Sequence, residues 1–130
     1  MKLGITAAVL GALTTIGLSA FAQTTEQTHT QCFFVNQFYS WKAPDARTIY
    51  VRIFPRRYYR LDLAGSCFVL RSPGAYLVTK FRGTGTVCSA LDWDLHVAAS
   101  NLDIPQPCIV KAMTELSAAE ADAIPKRNKP

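Results

Sequence analysis

The chain has 130 residues, 49% of them hydrophobic and 18% charged, with a formal charge of +5 and four cysteines. That length and balance exclude a multidomain assembly, a disordered chain and a collagen-like repeat. They name no activity.

Lys2, an apolar stretch over residues 3–18 and the small-x-small triplet Ala20-Phe21-Ala22 have the anatomy of a cleaved signal peptide spanning residues 1–22. The first cysteine is Cys32, well beyond the cleavage point after Ala22, so no lipid attachment is expected. Cleavage removes 22 residues and one of the 14 basic ones, leaving 13 basic against 9 acidic residues and a charge of +4. No later apolar run reaches spanning length, so the mature chain is expected to have no transmembrane segment. The expected location is periplasmic or secreted. Residues 23–31 (QTTEQTHTQ) hold no apolar side chain and read as a flexible polar leader. Residues 32–130 then form a single domain.

From Cys32 the pattern becomes strand-like. Residues 32–38 are aromatic and β-branched, and residues 42–46 (KAPDA) read as a turn. Residues 47–53 give the clearest alternation, with Ile49, Val51 and Ile53 on one face and Thr48, Tyr50 and Arg52 on the other. After the break at Phe54-Pro55-Arg56-Arg57, alternation resumes. Tyr59, Leu61 and Leu63 oppose Tyr58, Arg60 and Asp62, which predicts a hairpin. Ala64-Gly65-Ser66 and Ser72-Pro73-Gly74 bracket an irregular stretch around Cys67. Residues 76–82 are a fourth strand, ended by Gly83-Thr84-Gly85. Residues 92–98 are a fifth, with Trp93, Leu95 and Val97 on its buried side. Residues 101–107 read as a proline-containing loop and residues 108–116 as a sixth strand. Ser117 and Glu120 have the capping-box spacing, so a short helix follows and Pro125 stops it. The predicted fold is mainly β: a small antiparallel sheet or barrel of about five to six strands with one short C-terminal helix, stapled by two disulfides.

Cys32, Cys67, Cys88 and Cys108 are an even number spread along a chain with an export signal, without any Cys-x-x-Cys pair. Two structural disulfides are therefore expected rather than a zinc or redox site. Three connectivities are open. Cys67 and Cys88 flank one strand-like segment, which favours 67–88 with 32–108.

The blocks Trp41-Lys42-Ala43-Pro44-Asp45, Arg47-Thr48-Ile49-Tyr50-Val51-Arg52 and Tyr58-Tyr59-Arg60-Leu61-Asp62-Leu63, with the four spaced cysteines, resemble a family of small exported bacterial proteins known as a domain of unknown function. The likeness runs from Cys32 to Pro125. It implies a periplasmic or secreted setting and brings no catalytic residues.

The hairpin carries the leading binding expectation. Tyr50, Arg52, Tyr58 and Arg60 share its outward face, Arg56 and Arg57 sit at its turn, and Lys80 and Arg82 lie on a strand expected alongside. Flat rings stack on sugars, and guanidinium forks pair with carboxylates or phosphates. An acidic envelope polymer or acidic protein surface suits this face, whereas nucleic acid does not suit an exported protein of this modest charge. A second class is an inhibitor or accessory protein of a secreted enzyme, with residues 54–57 as its presenting loop. A third is a small hydrolase or metal-dependent enzyme using Asp92, Asp94 and His96. Those three alternate along one strand, but span about 13 Å of extended chain, too far for all to bind one ion directly. No Gly-x-Ser-x-Gly elbow or phosphate-cradling loop accompanies them. The balance favours a non-enzymatic binding or structural module without a cofactor.

Overall fold

Side-chain alternation decides which faces of this protein are buried, and a computed structural model describing residues 32–130 shows the outcome. The expected signal peptide and leader lie outside the described residues. The strands are β1 (Phe33–Phe34), β2 (Phe38–Lys42), β3 (Thr48–Ile53), β4 (Arg57–Leu63), β5 (Tyr76–Phe81), β6 (Thr86–Val87), β7 (Trp93–Ala98), β8 (Gln106–Pro107) and β9 (Val110–Leu116). They pair antiparallel as a four-stranded sheet β2-β3-β4-β9, a three-stranded sheet β5-β7-β8 and a two-stranded ladder β1-β6. Among the described residues no ladder closes on itself, so the sheets are open rather than a barrel, and six strands have five or more residues.

Ile49, Val51, Ile53, Tyr59 and Leu61 are fully buried, as the alternation requires, and Trp93, Leu95 and Val97 cover them from the second sheet within one core. Trp93 is the meeting point. Its ring lies 5.0 Å from that of Phe81, 6.1 Å from Phe33 and 6.5 Å from Phe38. Its Nε1–H donates to Met113 Sδ at 3.3 Å, joining β7 to β9. Helix α1 (Ala118–Ala123) starts where the capping box places it. Glu120 N–H donates to Ser117 Oγ at 3.2 Å, and Ser117 N–H donates to Glu120 Oε2 at 2.8 Å. Six residues are too few for a free-standing helix, and burial of Ala121 and Ile124 supplies the rest. Among the described residues, no helix is long and apolar enough to cross a membrane.

Three expectations need correction. The disulfides are Cys32–Cys88 and Cys67–Cys108, not 67–88 with 32–108. Register explains this: Phe33 pairs with Val87, which sets Cys32 beside Cys88. The Cys67 amide donates to Ala46 O at 2.7 Å and the Cys108 amide to Leu95 O at 2.9 Å, which anchors that bridge across the two large sheets. Residues 32–38 do not form one strand. A 3-10 turn, Val35–Gln37, interrupts them, because Gln37 Oε1 accepts the Phe34 amide at 2.9 Å and offers the backbone a local alternative to the ladder. Finally, Lys80 and Arg82 do not lie beside the hairpin. The strand that joins it is β9, and β5 belongs to the other sheet.

Candidate functional site

On the outward face of the four-stranded sheet, rings and cations alternate in two rows. In one, Lys42 of β2 pairs with Tyr50 of β3, and Tyr50 with Arg60 of β4. In the next, Ser40 pairs with Arg52, and Arg52 with Tyr58. Four of the expected binding residues, Tyr50, Arg52, Tyr58 and Arg60, thus share one face because hairpin pairing leaves all four on the side opposite the core. Arg52 lies over the Tyr39 ring, 4.8 Å from its centroid. Arg52 Nε and Ser40 Oγ are shielded and have no partner among the described residues. Arg60 is held by Asp62 through Nε at 2.8 Å and Nη2 at 2.7 Å, which raises the guanidinium pKa further.

The chain end adds cations that were not foreseen. The Lys129 ammonium lies 5.4 Å from the centroid of the Tyr58 ring and is tied to Asp122 Oδ1 at 3.0 Å. Arg127 lines a shallow hollow with Trp41, Lys42 and Ala43 at the β2 edge. The Lys126-Arg127-Asn128-Lys129 run after Pro125 was the available signal, but nothing in its spacing says that it folds back onto the sheet.

Arg57 and Arg56 are separated from this face. Arg57 opens β4 on the same side as Tyr59, and its Nε and Nη2 grip Glu115 Oε1 and Oε2 at 2.7 and 2.9 Å. Its Nη1 donates to Cys32 O at 3.1 Å, and Nη2 also donates to the Tyr59 hydroxyl. The bidentate bond to Glu115 raises the Arg57 pKa, while burial, with Glu115 nearby, pushes Tyr59 up to about 12. This cluster closes the end of the core between β4, β9 and the first bridge. Arg56 is exposed at the hairpin tip with Phe54, which is 62% exposed.

Asp92, Asp94 and His96 do not act as one set. Asp92 ends a 3-10 turn, where its Oδ2 accepts the Cys88 and Ser89 amides at 2.8 Å each and the Ser89 hydroxyl at 3.2 Å. Those backbone bonds, Cys88 first, lower its pKa below 3.8. Asp94 Oδ1 and His96 Nδ1 stand 3.7 Å apart in a groove of about 250 Å3 that also includes Arg82 and Ile109. Among the described residues, no group of three or more His, Cys, Asp or Glu is placed to hold a metal ion. A folded-state pKa below the unfolded one stabilises above the unfolded value, and the gain is lost as pH falls through the folded value. Asp92→Asn is therefore expected to lower the melting temperature by a constant amount at and above about pH 5, and the gap should narrow in acid below about pH 4. Thermal melts of both proteins across pH 2–7 check this; a gap independent of pH would assign Asp92 no charge-dependent role.

No curated protein and no solved structure matches the chain. One family, described as Family of unknown function (DUF6491), matches residues 1–129.

Proposed function

The chain thus belongs to a family of unknown function, and we propose on its geometry that it is an extracytoplasmic, non-catalytic binding module. It holds an acidic envelope polymer, or the acidic surface of a protein, on the outward face of the four-stranded sheet. The observation that carries this reading is the register placing Tyr50 between Lys42 and Arg60, and Arg52 between Ser40 and Tyr58. Such a checkerboard gives a chain of anionic rings a stacking surface and charge-assisted donors at every step along the sheet. Two disulfides suit an oxidising compartment, and the signal-like N-terminus supports the same location.

The test leaves Arg57 intact, because Arg57 is committed to Glu115 and its loss would disturb folding. The variant Tyr50→Ala/Arg52→Ser/Arg60→Ser is expected to bind polygalacturonate or envelope extract at least about tenfold more weakly, with an unchanged far-UV spectrum. Unchanged retention by the triple variant overturns the reading.

A further inference from the structure

We propose that a groove beside the Tyr/Arg rows is an anion subsite, in which Lys111 and Arg47 seat one carboxylate or phosphate group of an extended acidic polymer. The proposal rests on the reading that this sheet face binds such a polymer, and says where a single charged group is held.

The groove is an open depression of about 690 Å3 and lies where β2 has already ended. Lys42 is the last β2 residue to pair, opposite Tyr50, so the row formed by Thr48, Asp62 and Ala112 has no β2 neighbour. Small side chains, Ala46, Thr48 and Ala112, line it together with the long ones of Arg47, Arg60 and Lys111.

Lys111 is there because β9 is irregular. Asp62 pairs with Ala112 but Leu63 pairs with Val110, so Lys111 is an extra residue with no opposite number. In a regular strand, Lys111 would share the face of buried Met113, and Val110 would face outward. Instead Val110 and Met113 are both buried, three positions apart, and Lys111 is exposed at the groove. A bulge re-aims a side chain in this way, and such bulges gather at functional sites.

The charges within the groove are unequally committed. Asp62 is taken by Arg60 at 2.7 Å, and Asp45 Oδ1 accepts the Arg47 amide at 2.7 Å. Arg47 spends only its Nε, on Ser66 Oγ at 2.9 Å, leaving its terminal nitrogens without a partner among the described residues. The Lys111 ammonium has none there either. Cations therefore outnumber carboxylates in the lining, Arg47, Arg60 and Lys111 against Asp45 and Asp62, and they come from separate segments of chain. An oxyanion with several lone pairs is the group that satisfies them.

The test titrates the wild-type protein with polygalacturonate, a carboxylate polymer, and with polyphosphate at low ionic strength. The tighter of the two names the source of the oxyanion. Lys111→Met is expected to weaken binding about threefold and Arg47→Met/Lys111→Met about tenfold, with Lys111→Arg restoring it. Lys80→Ser/Arg82→Ser removes the same charge from the other sheet and should change affinity less than about twofold. An equal loss in that control, or no loss in the Arg47/Lys111 variant while the Tyr50/Arg52/Arg60 variant loses binding, overturns the subsite and leaves the face standing. Failure of the wild type to bind either polymer or envelope extract overturns both.

Discussion

Replacing Cys67 and Cys108 together by serine should lower the unfolding free energy by about 3 kcal/mol and the melting temperature by about 10–20 °C. The bridge joins residues 41 positions apart. Closing a loop of that length removes about 4 kcal/mol worth of freedom from the unfolded chain in the entropy model, and measured effects usually fall somewhat short. Location reinforces length. Cys67 follows the hairpin of one sheet, Cys108 precedes β9, and the Cys108 amide is bonded to Leu95 of the other sheet. Both residues are buried, at 7% and 6% exposure, so two serine hydroxyls would also need partners in an apolar setting. Urea and thermal unfolding of the double variant measure the change. A loss below about 1 kcal/mol would show that core packing alone holds the sheets together.

Trp93→Ala should cost about 3–5 kcal/mol, a large share of the stability of a domain this size. Trp93 touches rings contributed by β1, β2 and β5, and its indole N–H reaches Met113 of β9, so removal leaves a cavity bordered by both large sheets. Neighbours anchored in separate sheets cannot all collapse into one hole. Trp93→Phe keeps most of the ring contacts and should cost much less, about 1–2 kcal/mol, mainly the hydrogen bond and part of the packing. The midpoint of denaturant unfolding should move at unchanged slope. An alanine variant that loses less than about 2 kcal/mol would mean the aromatic cluster is not the joint between the sheets.

Strong alternation made β3, β4 and β7 legible, because Ile49, Val51, Ile53, Tyr59, Leu61, Trp93, Leu95 and Val97 could be buried together in only one phase. The short helix was equally plain, since Ser117 and Glu120 cap it through bonds within four residues of chain. What escaped reading was decided by distant partners. Arg57 looks like a turn residue until Glu115, 58 positions later, takes its guanidinium. The cysteine pairing followed from β1 meeting β6, two strands of two residues each, too short to announce themselves. Lys111 did leave a trace: Val110 and Met113 are apolar at a spacing of three within a strand of period two. Of the candidate face, the Tyr/Arg hairpin was visible from its alternation, while the folding back of Lys129 onto Tyr58 was not.

The two bridges overlap along the chain, one from 32 to 88 and the other from 67 to 108. Any single break between Cys32 and Cys108 therefore falls inside at least one covalent ring. A protease that clips the exposed loop at Leu102 or Ile104, or the hairpin tip at Phe54, severs the backbone and yet releases no fragment. Such a nicked molecule keeps its strands tethered beside their partners, so an isolated cut becomes a wound the fold can survive.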